Sequence, residues 1–289
     1  MTSFVGATAV RPDPHHPGGF RSSIPDGWNS PFGLHGGVFA ATVARAADGA
    51  HGIDGLSLRT VHARYLDRPS SGELVIDTEV LRTGGISAFV EASARADGQD
   101  RGCLRLGALF TRGKDAVGYL DDVQPEVPPV DQCRTERNLF AGLVSSTAGV
   151  AASPPPLFDQ LDIRPALGVL PWEPEWVPDQ PARYLRWGGF VEPPVLVDGG
   201  IDPLCMLIYA DLPAPSLWVR LQPSDPFHTM VSLELTFHVL ERPTDPWLLV
   251  DSRARWMGDG YLLTETDVWS AGRLCATSNQ MMLIRILSA

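Results

Sequence analysis

Lysine is all but missing from this 289-residue chain: Lys114 stands alone, and arginine supplies the rest of the positive charge. With 23 basic against 34 acidic residues the net charge is −11, and no basic block interrupts it, which excludes a general nucleic-acid-binding surface. Cysteine is scarce as well. Cys103, Cys133, Cys205 and Cys275 lie far apart without a CxxC pair, so neither a zinc site nor a disulfide framework is expected, and they read as buried thiols of a reducing cytoplasm. No apolar run approaches the roughly 20 residues of a membrane helix, and the opening "MTSFVGATAVRPDPHH" lacks the apolar centre of a signal peptide. HExxH, clustered Cys/His, an Asp-rich loop, GxSxG, the Walker A loop and the dinucleotide GxGxxG are all missing. These absences predict a soluble, cytoplasmic protein with no metal, no cofactor, and neither nucleic acid nor membrane as partner.

What is present is a core and a repeat. The chain is 44% hydrophobic and 20% charged, a composition that folds rather than stays disordered. The stretch "GLHGGVFAATVARAADG" at 33–49 returns as "VDGGIDPLCMLIYADLP" at 197–213, with Gly36-Gly37 over Gly199-Gly200 and Ala47-Asp48 over Ala210-Asp211. Next, "SLRTVHARYLDRPSSGELVID" at 57–77 lies over "VSLELTFHVLERPTDPWLLVD" at 231–251, and Cys103 falls over Cys275. Three matches in order, at nearly constant offsets, indicate a duplication.

Each copy opens with a short helix, at 36–48 and 200–211. Strand-like runs follow at 56–67, 73–83, 86–97 and 101–112, and in the second copy at 216–222, 229–241, 247–257, 260–270 and 273–286, divided by turns such as "RTGG" and "GDG". Alternation puts Leu274, Ala276, Ser278, Gln280, Met282 and Ile284 on one face of the last strand. Between the copies, 123–181 is rich in proline, including three in a row at 154–156, and reads as a mostly irregular connector in which 138–150 is a candidate short helix. The expected organisation is a first repeat over 1–113, a connector over 114–181 and a second repeat over 182–289. One copy alone would leave a sheet edge and a helix face exposed; two can pair edge to edge around both helices.

The stretches "HGGVFAA" at 35–41, "YADLP" at 209–213 and "SLELTFHVLERPTDPWLLVDSRARWMGDGYLLTETDVWSAGRLCATSNQMMLIR" at 232–285 resemble the double-hotdog acyl-CoA thioesterases, of the thioesterase II type and its actinobacterial relatives. The resemblance covers both halves but not the connector. It implies an α+β double hotdog, one continuous sheet around two central helices, that hydrolyses an acyl-CoA thioester to free acid and CoA in fatty acid metabolism. It also implies catalytic roles for Asp211 as the acid and Gln280 as the glutamine that handle the attacking water, with Gly36-Gly37 as the oxyanion end. The family's hydroxyl position, counted back from Phe237-His238, falls on Met230; Thr229 and Ser232 flank it, and either one or neither supplies the hydroxyl.

The chemistry needs these residue types. A tetrahedral oxyanion requires donors set in place beforehand, and a helix N-terminus offers free N–H groups and a favourable dipole; glycine there lets a thioester approach the backbone. Asp48 cannot serve the site of Gly37, because eleven helical residues separate them by roughly 16 Å. Antiparallel pseudo-twofold packing would bring Gly37 to Asp211 and Gly200 to Asp48. Gln280 has Ala108 as its repeat partner, so the first site looks equipped and the second degenerate. His35 is a candidate thioester contact beside Gly36, or a helix cap. Arg64, Arg242, Arg253 and Arg255 are candidates for the CoA phosphates. Two rivals remain: a hotdog hydratase or dehydratase, for which His35 is the only histidine near the site, and a non-catalytic acyl-thioester or lipid-binding protein. A homo-oligomer is plausible for exposed edges.

Overall fold

Turns between alternating runs of Val, Leu and Thr favour antiparallel hairpins, and hairpins are what the strands form. The computed structural model describes residues 2–114, 118–136, 154–226 and 228–286. In chain order the elements are α1 (Phe4–Ala7), β1 (Arg11–Pro12), β2 (Gly19–Ser23), β3 (Asn29–Ser30), β4 (Gly33–Leu34), α2 (Gly36–His51), β5 (Ser57–Tyr65), β6 (Glu73–Thr83), β7 (Ser87–Ala96) and β8 (Leu104–Thr111). They continue as β9 (Leu161–Leu167), β10 (Arg183–Phe190), α3 (Met206–Ala210), α4 (Pro215–Trp218), β11 (His228–Val239), β12 (Leu248–Gly258), β13 (Tyr261–Ser270) and β14 (Arg273–Ile286).

A 12-stranded antiparallel sheet runs β1-β2-β6-β7-β8-β5-β11-β14-β13-β12-β10-β9. The order is a palindrome of the duplication. β5 and β11 pair at its centre with His62 opposite Thr236, and the two residues bond through Nδ1 and Oγ1 at 3.0 Å. Val61 lies opposite Ala108 just as Leu235 lies opposite Gln280, so the cross-strand register repeats between the copies.

The repeat reaches further upstream than the sequence reading has it. β9 and β10 mirror β1 and β2, so part of the predicted connector is sheet. Pro165 is tolerated there because β9 is an edge strand, where a missing N–H breaks no ladder bond. The expected strand at 216–222 is instead helical at its start: Pro215 presets helical φ at the first turn of α4, and Leu217, Trp218 and Val219 are all buried, which suits a buried turn and not a half-buried strand. The second helix is shorter than 200–211, a 3₁₀ turn at Pro203–Cys205 running into α3. Leu274 leaves its expected face and packs with Leu185, Leu249 and Trp269, next to a register shift in β13. The candidate helix at 138–150 lies outside the described residues. Of the cysteines, Cys103, Cys205 and Cys275 are buried and Cys133 is half-buried; all are free thiols.

α2 is buried on nearly every side from Gly37 to Ala47 except at Arg45, which its alanine-rich sequence permits. The sheet's inner face covers it with Leu74, Ile76, Val90 and Leu106 from the first half, and α3 packs across its N-terminus. That crossing builds the site.

Candidate active site

One proline decides where the key carboxylate stands. Pro213 disfavours helix in the residue before it, so α3 stops at Ala210 and Asp211 becomes its C-cap at φ −96°, ψ 21°. The matching Asp48 has no such stop: α2 continues to His51 and ends on Gly52 at φ 61°. Asp211 is therefore buried at the helix crossing, while the Asp48 side chain is 58% exposed and bonds His51 Nε2 at 3.2 Å. Gly200 lies against Arg242, which bonds Asp198 and holds that carboxyl down at about 2. Gly37 and Asp211 are brought together; Gly200 and Asp48 are not.

The Asp211 carboxylate collects donors from three elements. Oδ2 accepts the Gly37 N–H of α2 at 2.8 Å. Oδ1 accepts the Ser232 hydroxyl of β11 at 2.7 Å and Nε2 of Gln280, on β14, at 2.5 Å; the same nitrogen donates to Ser232 Oγ at 2.8 Å. An ionised carboxylate only accepts, so the amide must present its NH2 to it, which leaves Gln280 Oε1 buried without a partner among the described residues.

A β-bulge chooses the hydroxyl. Ser232 stands opposite Met282 and Glu234 opposite Met281, so Leu233 is the extra residue. Leu235, Phe237 and Val239 face the helices, and unbroken alternation from them would turn Thr229 inward and Ser232 out. The bulge reverses the parity. Thr229 is not in the site: its hydroxyl donates to the Arg285 carbonyl at 3.3 Å. Met230, where the counted family position falls, packs in an apolar cluster with Met282.

His35 caps α2. Its Nδ1 accepts from the Gly37 N–H at 3.2 Å, a donor shared with Asp211, and its buried Nε2 lies 3.7 Å from Asp211 Oδ2, too far for a hydrogen bond. Burial lowers the His35 pKa, the Asp211 charge opposes that shift and Arg186 adds to it. A ring nitrogen that accepts carries no proton, so the Nδ1 bond from the Gly37 N–H places the ring's proton on Nε2. The glycines have a purpose the sequence reading did not assign. A Cβ on Gly37 would sit 2.3 Å from the Leu207 carbonyl, and one on Gly36 would sit 2.6 Å from Asp211 Oδ2. Their missing side chains are filled by α3 and the carboxylate, not kept open for a thioester.

Two neighbours escaped the sequence reading. Tyr65 donates its hydroxyl to the Gly36 carbonyl at 3.1 Å, and burial raises its pKa. Arg186, 2% exposed, donates to the Leu212 carbonyl beside Asp211. The alternation of "RYLRWGGF", with Tyr184, Arg186 and Phe190 on one face, was the available signal for a buried arginine. Of the arginines offered for CoA, Arg242, Arg253 and Arg255 pair with Asp198, Asp251 and Glu265; among the described residues Arg64 has no such ion pair.

A duplicated sheet wrapped on two crossed helices, with a carboxylate, a hydroxyl and an amide at the crossing, defines a double hotdog of the α+β class. The chain belongs to the acyl-CoA thioesterase family: residues 24–113 match the model of its N-terminal domain and residues 130–284 that of its C-terminal domain. A hot dog fold protein of unknown function from Alicyclobacillus acidocaldarius superposes with a TM-score of 0.79 at 21% identity, over 99% of this chain and 98% of that one. The acyl-CoA thioesterase II TesB2 of Mycobacterium marinum gives 0.73 at 18%, over 99% of each chain. The dehydratase domain of RzxB from Pseudomonas fluorescens gives 0.56 at 15%, over 96% of each, so the fold is also similar to that of a dehydratase. No curated protein matches the sequence.

Proposed function

We propose that this protein hydrolyses an acyl-CoA thioester to the free acid and CoA, with a water activated by Asp211 and Gln280. The observation that carries the reading is the Asp211 carboxylate itself, gripped on one oxygen by Ser232 and Gln280 and on the other by Gly37. A water donating to Asp211 Oδ2 and to the unpartnered Gln280 Oε1 would be held by both, with a lone pair left for the thioester carbon. Asp211 takes the proton as the C–O bond forms. Collapse of the tetrahedral intermediate breaks the C–S bond, and the proton passes to the departing thiolate.

The oxyanion donor is the part of the reading the geometry changes. Gly37's N–H is already committed to Asp211, so in this proposal it orients the base, and the buried His35 Nε2–H, which has no partner among the described residues, polarises the carbonyl. The Gly37 N–H donated to His35 Nδ1 is what keeps that proton on Nε2.

The test is free-thiol release from short-, medium- and long-chain acyl-CoAs, with Asp211→Asn run beside the wild type. The substitution is expected to lower kcat by about 10²–10⁴-fold. No release at any chain length, or release indifferent to Asp211, overturns the proposal. One observation favours the hydratase rival, the 3.7 Å approach of His35 to Asp211. Hydration of an enoyl-CoA that His35→Ala abolishes would establish it, and tight binding without turnover of either substrate would leave the acyl-thioester-binding reading.

A further inference from the structure

The pseudo-twofold supplies an internal control for the inner face of the sheet. Positions that correspond by register are Val90 and Thr264, opposite Ala108 and Gln280; Ala92 and Thr266, opposite Leu106 and Ser278; and Phe20 and Arg186, opposite Ile76 and Val250. All are buried. The first half fills them with apolar side chains, and the second half puts hydroxyls and a guanidinium in the same places, on the side that holds Gln280.

Beyond the hydroxyls, three polar groups lie deep in the second half. Arg186 is 2% exposed, with Nη1 3.7 Å from Glu136 Oε1, and Glu136 and Tyr184 are equally buried. Arg186 Nε, Glu136 Oε2 and the Tyr184 hydroxyl have no hydrogen-bond partner among the described residues. The group adjoins the catalytic centre from two directions. Arg186 bonds the carbonyl next to Asp211. Tyr184 shares one buried cluster with Met230 and Met282, each two residues along its strand from Ser232 and Gln280.

We infer that Tyr184, Arg186 and Glu136 form a polar subsite that receives a hydroxyl group on the substrate's acyl chain. The inference rests on the thioester reading of the neighbouring centre. Arg186 Nε–H is a donor, Glu136 Oε2 an acceptor and the tyrosine hydroxyl both, so the complementary ligand group accepts one bond and donates another. A hydroxyl does this. A carboxylate would meet Glu136, and a plain alkyl chain would leave all three groups buried and unpaired, a penalty that discriminates against it.

The test is calorimetric binding of hydrolysis-resistant ketone analogues of acyl-CoA, carrying a methylene between sulfur and carbonyl, in pairs of equal chain length with and without a hydroxyl at C3 or at the chain end. A hydroxylated analogue is expected to bind about tenfold more tightly than its saturated partner, and the ratio is expected to fall toward one in Tyr184→Phe and Glu136→Gln. Tyr184→Phe removes only an unpartnered hydroxyl, so its fold is retained, which circular dichroism checks. Saturated analogues that bind as tightly as every hydroxylated one, a preference surviving both substitutions, or no binding of either member overturns the subsite. Failure of the hydrolase reading shows separately, as analogue binding without thiol release from the true thioesters.

Discussion

At Asp211 one carboxylate takes donors from α2, β11 and β14, so each donor can be removed singly. Ser232→Ala deletes the hydroxyl that bonds the proposed base, and under that proposal it is expected to lower kcat/KM on the best acyl-CoA about tenfold, the worth of one hydrogen bond to a charged group. Thr229→Val, whose hydroxyl only reaches the Arg285 carbonyl, is expected to leave kcat/KM within about twofold; steady-state kinetics of the pair decides which hydroxyl the site uses. His35 gives a pH signature. Its folded pKa is lowered, chiefly by burial, so between that value and the unfolded value near 6.5 the unfolded chain binds more protons. Its contribution is fully present above about pH 6.5 and is lost as pH falls through that range. Melting temperature is expected to drop from pH 7 to pH 5, and His35→Asn, which keeps a capping acceptor for the Gly37 N–H, is expected to flatten part of that slope in a thermal-melt series.

Between elements the closest constraint is the crossing of α2 over α3. Gly37→Ala sets a Cβ 2.3 Å from the Leu207 carbonyl, a backbone atom that cannot swing aside. The helices must separate, at an expected cost of about 1–3 kcal/mol in chemical denaturation. Activity is expected to fall with stability, because the Gly37 N–H that grips Asp211 moves too. Gly52→Ala is the control: it ends the same helix at φ 61° with no atom within 4 Å, and is expected to cost only about 1 kcal/mol in strain, with activity retained. The bulge at Leu233 is a second element-scale device, since it turns Ser232 toward the helices while Leu235 keeps its place opposite Gln280.

Across the whole molecule the two copies share a seam. β5 pairs with β11 from His62 outward on both sides, and α2 of the first copy binds the aspartate of the second. Residues 1–113 expressed alone would expose the β5 edge and strip the cover from α2. That fragment is expected to dimerise or aggregate, which light scattering after size-exclusion chromatography reads directly; a stable monomer would show that the halves are independent. The outer edges, β1 and β9, are short strands, one carrying Pro12 and the other Pro165, features that blunt edge-to-edge association.

The duplication, the double-hotdog class and ten of the element positions were legible in the sequence, because alternation, turns and an apolar helix repeat are local patterns that tertiary packing left standing. The family resemblance pointed to Asp211 and Gln280, laying the repeat over itself added Gly37 beside Asp211, and the structure brings the three within hydrogen-bond reach. Other features depended on packing. β9 was hidden, because an edge strand interrupted by proline carries a weak local signal, whereas the alternation around Arg186 on β10 was a signal that went unused. Ser232 over Thr229 turned on one unpaired residue, since a bulge changes side-chain parity without altering composition. The glycines' purpose also emerged only in three dimensions: the space at Gly37 belongs to a helix 170 residues further along the chain, and only the fold brings it there.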